Sequence, residues 1–485
     1  MSLQVYAQHY PELKSQIRII APGNEIPVSL LKGEGQSFFL LGSIDQKGGK
    51  IKDSYGCTDM WIANIHLNGE IIWQKTIGGP FCDVPSHLSW QNGVICISGS
   101  SASLIDHPEA IDRYRSGDAV FARISPDGRL LSYVTSGETG QDYATQSVSI
   151  TDSVLIQTGW YDSQIALTPA KNGKSDIWIR SYGEDTISRW EKGAGGDGLD
   201  WPVAISKIGK EWIIAANTCP VIENADALCS PWIIWGDING IIKGNQLLKV
   251  KPGVTLTSMT TNFQGQVLLA GKRRNELGND QFWWALSDKV GNIIQEWEYG
   301  GSGNEYITGV TALARGGWAM TGTSCYYNLE NEYIKGGEDL WVFRLDNTGA
   351  PEWKQTFGGS RNEKSTTILE LSPGKLLVGG TRAVNASDTA DTDIWLLEIQ
   401  EYPCQLPQAN PSWTFLEEDS TKIQFYAGAP EGSDVIWDFG EGKISAALNP
   451  LIQFPASGKY EVRLQIKSGE YCNKWYLVQP DILIE

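Results

Sequence analysis

The sequence predicts an all-β fold in which seven four-stranded sheets stand around one axis, a seven-bladed β-propeller. Three observations carry this expectation. The chain repeats itself at intervals of roughly 56 residues, each repeat holds short alternating apolar runs bounded by turn residues, and 53 Gly accompany 20 Trp in 485 residues. Sheets repeated at such a period cannot bury both faces alone and must stack on their neighbours.

The repeat is anchored by an aromatic in "DMW", "DIW", "PWI", "FWW", "DLW" and "DIW", at Trp61, Trp178, Trp232, Trp283, Trp341 and Trp395, with Val120 as a degenerate copy. Eight residues after an anchor come Gly69, Gly128, Gly240, Gly291 and Gly349; twelve after it come Trp73, Trp190 and Trp353. Runs such as "VICISGS", "WIANIHL" and "KLLVGGT" alternate with the period of antiparallel strands. Each repeat therefore reads as four strands. The second ends at Gly42, Gly99, Gly159, Gly271, Gly322 or Gly380, the third carries the anchor, and the fourth runs into a glycine doublet. Trp395 opens a last strand with no fourth strand behind it, whereas "SQIRII", Ser15 to Ile20, precedes "APGNE" as "EWEY" precedes "GGSGNE". The N-terminal strand is thus expected to complete the last sheet and close the ring, hiding edges that would otherwise be exposed.

A carboxylate opens the first strand in six of the seven repeats. Twenty-two residues after the anchors stand Asp83, Asp142, Asp200, Val254, Glu305 and Glu363, and Glu25 holds the same place in the first repeat. The pattern predicts an acidic ring at one mouth of the central channel. Its structural reading is that each side chain accepts N–H bonds from its own turn; its functional reading is a site for a cation or a polyol. Asp59, Asp118, Asp176, Asp339 and Asp393, two residues before the anchors, read as turn caps.

Repeat lengths vary only between the second-strand Gly and the next anchor, from 12 to 21 residues. Those loops share a face with the acidic ring, which makes that face the place for a ligand. Trp160, Tyr161, Trp201, Tyr143, Tyr306, Tyr326, Tyr327 and Tyr333 are its candidate contacts, since aromatics beside carboxylates suit sugar rings and protein ligands alike; the alternative is that Trp201, Tyr143 and Tyr306 plug the channel.

A formal charge of −18 with 57 acidic against 39 basic residues argues against a nucleic-acid partner or an anionic membrane. No apolar run approaches the roughly 20 residues of a spanning helix. The start "MSLQVYAQ" has no charged or apolar leader segment and is read as a start from which any signal peptide has been removed. The eight cysteines show no zinc spacing. Cys219 with Cys229 and Cys404 with Cys472 are read as disulfides, Cys57 with Cys82 as a further pair, and Cys96 and Cys325 as free thiols. Four scattered histidines, His9, His66, His87 and His107, and the lack of nucleophile-elbow, zincin or P-loop motifs give no catalytic residue and no cofactor.

"DAVFARISPDGRLLSYV" with "DYATQSVSI" resembles the repeat of secreted bacterial seven-bladed propellers, over roughly residues 14 to 400. "LDNTGAPEW" is similar to the quinoprotein repeat, but the longer period and the absence of adjacent cysteines oppose that family. After a Pro-rich linker, "VIWDFGEGK", "NPLIQF" and "SGKYEVRLQI" resemble a PKD domain, at Trp437, Asp438, Phe439, Gly440, Gly442, Asn449, Pro450, Gly458, Tyr460 and Val462, with Glu441 where that family usually has Asp. The resemblance implies an immunoglobulin-like β-sandwich, with Trp437 in its core. The expected organisation is a propeller over 1–402, a linker over 403–410 and a PKD domain over 411–485. The expected function is a secreted or surface-displayed, monomeric, non-catalytic module that binds a glycan or protein. The alternatives are an enzyme acting on polysaccharide through ring carboxylates and a purely structural spacer.

Overall fold

The structure is a computed structural model that describes residues 9–103, 117–137, 140–162, 175–220, 228–325, 337–385, 388–403, 409–416, 419–440, 443–455, 458–468 and 472–484. Among these there is no helix, hence none long and apolar enough to cross a membrane. The chain divides into two compact units: Leu13–Gly349 with Lys354–Ile399, and Met1–Glu12, Ala350–Trp353 and Gln400–Glu485.

The larger unit is a β-propeller-like, all-β fold. Among the described residues, the first sheet orders its strands as in the chain: Glu25–Lys32, Ser37–Ile44, Asp59–His66 and Ile71–Ile77. Five more sheets follow the same plan, beginning with Asp83–Gln91, Gln141–Thr151, Leu199–Ile208, Val254–Thr261 and Asn304–Ala312. The seventh starts with Glu363–Ser372 and Lys375–Asn385, continues with Asp388–Pro403, and takes His9–Ile19 from the N-terminus as its outer strand. The N-terminal strand begins at His9, six residues before the expected Ser15, and its neighbour runs to Pro403.

The innermost strands contact one another in chain order, and Glu363–Ser372 contacts Glu25–Lys32. The cores lie between consecutive sheets. Ile394, Leu396 and Leu377 of the seventh pack with Leu40, Trp61 and Ala63 of the first, and Trp284 and Phe282 of the fifth pack with Trp318, Trp341 and Phe343 of the sixth. The anchors Trp61, Trp178, Trp283 and Trp341 are at most 1% exposed. Each such ring removes roughly 150–250 Å² from water, on the order of 4–6 kcal/mol before ordering entropy.

Two recurrent glycines have separate physical causes. Gly128 and Gly240 adopt φ of 89° and 81°, and a Cβ on either would lie 2.8 Å from the indole of Trp73 or Trp190 in the preceding sheet. Those indoles donate to Pro126 O at 2.9 Å and Ile238 O at 3.0 Å, so each turn is docked on the ring beneath it. The second-strand glycines answer to a β-bulge. Every innermost strand inserts one extra residue three positions after the acidic site, at Val28, Ser86, Thr145, Val203, Thr257, Thr308 and Thr366. The bulge brings a first-strand carbonyl against its partner: Cβ atoms on Gly159, Gly271 and Gly380 would meet Tyr143 O, Thr255 O and Lys364 O at 1.8, 2.1 and 2.3 Å.

Disulfides join Cys57 to Cys82 and Cys219 to Cys229, while Cys96 and Cys325 are free thiols. In the smaller unit a three-stranded sheet, Ser412–Leu416, Asp419–Tyr426 and Leu451–Gln453, and a four-stranded sheet containing Asp434–Asp438 and Gly458–Ser468 share one core. Trp437 is wholly buried there and stacks on Phe439, centroids 5.9 Å apart. Cys404, Glu441 and Gly442, and the side chain of Cys472, lie outside the described residues.

Candidate functional site: the glycine–carboxylate joints

At the end of each sheet where the second-to-third-strand loops emerge, the chain passes from one sheet to the next, four times through a glycine doublet: Gly78–Gly79, Gly195–Gly196, Gly300–Gly301 and Gly358–Gly359. Three elements meet there: the start of a third strand, the doublet, and the start of the next first strand. The second glycine donates its N–H to the carboxylate four residues on, from Gly79 to Asp83 Oδ2 at 2.8 Å, Gly196 to Asp200 Oδ2 at 2.8 Å and Gly359 to Glu363 Oε2 at 3.0 Å. The first glycine has no room for a side chain, because two carboxylates already flank it. A Cβ on Gly78 would lie 2.0 Å from Asp59 Oδ1 and 2.8 Å from Asp83 Oδ2; on Gly137, 2.5 Å from both Asp118 Oδ1 and Asp142 Oδ2; on Gly358, 1.7 Å from Asp339 Oδ1 and 3.1 Å from Glu363 Oε2. Where two acids crowd the joint in this way, the first residue of the turn is glycine because a side chain there would collide with them.

The six ring acids are at most 2% exposed. They do not line an open channel mouth, as the sequence reading expects; they turn into the joint between sheets, where the doublet's N–H groups are. Asp59 caps its turn as expected, its Oδ2 accepting from the N–H groups of Tyr55 and Gly56 at 2.6 and 3.2 Å, and it also belongs to the joint, its Oδ1 flanking Gly78.

Burial sets the electrostatics. The Glu305 carboxyl is pushed up to about 7, by desolvation first, against a bond from the Gly301 backbone. Glu25 is pushed up to about 8 by desolvation, then by Asp393 and Asp45; neither of its oxygens has a partner of hydrogen-bonding geometry, although the Ala21 N–H lies near. Burial raises Asp83 despite donors from Ser101, Gly79 and Ser103, with Asp59 adding to the rise. Burial also raises Glu363, which the Gly359 N–H and then Arg382, 3.1 Å away, oppose. At the closing joint Arg18 pairs with Asp393. Among the described residues no group of three or more His, Cys, Asp or Glu side chains is placed to hold a metal ion.

Two joints depart from the pattern. In the fifth sheet Gln281 stands where five of the sheets have Asp, and its Nε2 donates to Glu305 Oε2 at 3.1 Å. Between the fourth and fifth sheets Ser230 and Val254 replace both carboxylates at once. Asn217 holds that joint instead, accepting from Leu256 N–H and donating to Leu256 O, both at 2.9 Å.

Of the candidate ligand contacts, Tyr143 and Trp160 pair across adjacent strands and stack with centroids 5.2 Å apart and planes 10° from parallel. Both are half-buried, as are Trp201 and Tyr306. Tyr161 is not a surface residue: it is 6% exposed, because it lies opposite Asp142 on the strand pair and faces Ala119, Ala144 and Trp178. Tyr326, Tyr327 and Tyr333 lie outside the described residues. Sequence reading missed the bulge hydroxyls, which stitch sheet to sheet. Ser86 Oγ donates to Ala144 O at 2.6 Å and Thr308 Oγ1 meets Ser365 Oγ at 2.7 Å. Their signal was a Ser or Thr at a fixed place after the acid in five repeats.

No family model and no curated protein matches the chain. Among solved structures, the chain is similar to a protein of unknown function from Dyadobacter fermentans DSM 18053, at 11% identity and TM-score 0.44 over 80% of this chain and 99% of that one. It is similar to an α-L-arabinofuranosidase from Fusarium graminearum, at 10% identity and TM-score 0.43 over 79% and 97% of the two chains. It is also similar to an α-L-arabinanase from Penicillium chrysogenum, at 11% identity and TM-score 0.43 over 79% and 98%. Likeness at this level concerns the arrangement of sheets and carries nothing about activity.

Proposed function

We propose that the chain is a non-catalytic binding module that recognises a glycan on the loop-bearing end of a seven-bladed β-propeller, followed over 411–485 by a PKD domain that serves as spacer. The observation that carries this reading is the division of labour at the joints. The carboxylates are buried, and Asp83, Asp200, Glu305 and Glu363 are engaged by their own turns, whereas the stacked Tyr143–Trp160 pair and Trp201 in the next sheet remain half-exposed at the same end. Parallel aromatic rings offer the flat apolar surface on which the C–H face of a sugar stacks. A buried carboxylate cannot reach a glycosidic oxygen, and glycoside hydrolysis needs two that can.

A secreted or cell-surface location fits the two disulfides, which persist in oxidising surroundings, and Cys404 with Cys472 is proposed as a third. The test is a glycan array with the intact protein, repeated with Trp160→Ala and Trp201→Ala. Binding lost in both variants supports the reading. Binding to proteins alone, or polysaccharide turnover abolished by Asp200→Asn or Glu305→Gln, overturns it.

A further inference from the structure

The joint between the fourth and fifth sheets differs from the others in a second way. Five joints place Gly78, Gly137, Gly195, Gly300 or Gly358 five residues before the acidic position; the closing joint has Ile20 there, and the joint after Trp232 has Lys249. The carboxylates that crowd the glycines of those five joints are absent here, with Ser230 and Val254 in their positions, and the side chain that stands in the glycine's place is cationic. Lys272, Arg273 and Arg274 end the second strand of the fifth sheet, and its first strand, which begins five residues after Lys249, pairs with them: Thr255 with Lys272, Val254 with Arg273, and the Arg274 N–H is bonded to Gly253 O at 2.9 Å. Three consecutive cations follow the second-strand glycine in no other repeat.

The cluster is not consumed internally. Lys272 pairs with Asp280, and Arg273 reaches Glu298 at 2.6 Å, but Lys249 and Arg274 are exposed and have no carboxylate partner among the described residues. In a chain of formal charge −18, a local inversion of sign at a strand end is a surface for anions.

We propose that this cluster binds the carboxylate or sulfate groups of an acidic polysaccharide whose sugar rings lie on Tyr143, Trp160 and Trp201. The proposal rests on the glycan-binding reading above and narrows it. The first strands of the third, fourth and fifth sheets contact in order. Tyr143, Trp201 and Thr255 each stand one place after the acidic position, and Trp160 and Lys272 one place after the second-strand glycine. Aromatic rings thus give way to cations along one arc of the loop-bearing end. A polyanion with charges on successive sugar rings engages both parts at once, the rings on the aromatic surface and the charges on the cations.

The test measures binding of polygalacturonate, chondroitin sulfate and neutral dextran to the intact protein at low and high salt. The variants are Lys249→Gln/Arg274→Gln and Lys249→Gly, the latter restoring the residue of other joints. The acidic polymers are expected to bind more tightly than dextran and to weaken with salt, and the double variant is expected to lose roughly tenfold affinity and most of its salt dependence, as removal of exposed charges requires. Dextran bound as tightly as the acidic polymers, an unchanged double variant, or binding of polyglutamate in preference to both acidic glycans overturns the inference while leaving glycan binding intact. Failure of every polysaccharide, neutral or acidic, overturns both.

Discussion

Gln281 donates to Glu305 across 3.1 Å at a joint whose counterparts carry two carboxylates. An amide in that place does what a protonated Asp would do: it supplies a hydrogen to a buried carboxylate without adding charge. The neutral pair Ser230 and Val254 and the Arg18–Asp393 pair are two further ways of avoiding two adjacent buried charges. Gln281→Asp is therefore expected to destabilise the protein by roughly 1–3 kcal/mol above neutral pH and by less at pH 5, where one carboxyl takes a proton. Urea unfolding at the two pH values checks this; equal losses would show that charge is not the cause.

A methyl group at the first glycine of a joint is expected to be costly. Gly358→Ala places its Cβ 1.7 Å from Asp339 Oδ1, and the displacement of packed, buried groups costs roughly 1–3 kcal/mol or more. Lys249→Ala, at the equivalent position of the joint without carboxylates, is expected to stay within about 0.5 kcal/mol of the parent. Thermal unfolding of the two variants side by side decides it.

Stability should fall as pH rises through the neutral range. Glu25 titrates near 8 in the folded chain against 4.5 as its ordinary value, so between those values the folded state binds more protons than the unfolded one. Its contribution is complete below about 4.5 and lost as pH passes about 8; Glu305, near 7, acts in the same direction. Glu25→Gln is expected to flatten the decline in Tm between pH 5 and 9 and to be more stable than the parent at pH 9. An unaltered slope would mean that Glu25 is ionised throughout.

The bulge hydroxyls should couple neighbouring sheets. Thr308→Val and Ser365→Ala are each expected to lose about 1 kcal/mol, and the double variant less than the sum, because one hydrogen bond of 2.7 Å joins them. Additive losses in denaturant unfolding would show that the two hydroxyls act separately.

The repeat, the strand order and the glycine landmarks were legible because each is a local requirement copied along the chain. The anchor Trp, the turn Gly and the second-strand Gly recur wherever the same backbone recurs. The bulge was not legible, since an extra residue in one strand shows only when its partner is known. Tyr161 was misplaced for a similar reason: alternation says which residues share a face, and only the neighbouring sheet says whether that face is covered.

The sequence by itself determined that this chain is all-β, built from a four-stranded unit whose turns pair glycine with a carboxylate. Those demands are met within a few residues of where they arise. Tertiary structure alone decided that the carboxylates face inward as pairs, and that the one joint without them presents lysine and arginine at the surface. The two acids of a joint stand 24 residues apart in the chain, or at opposite ends of it for Asp393 and Glu25, and only the packing of sheet on sheet brings them together.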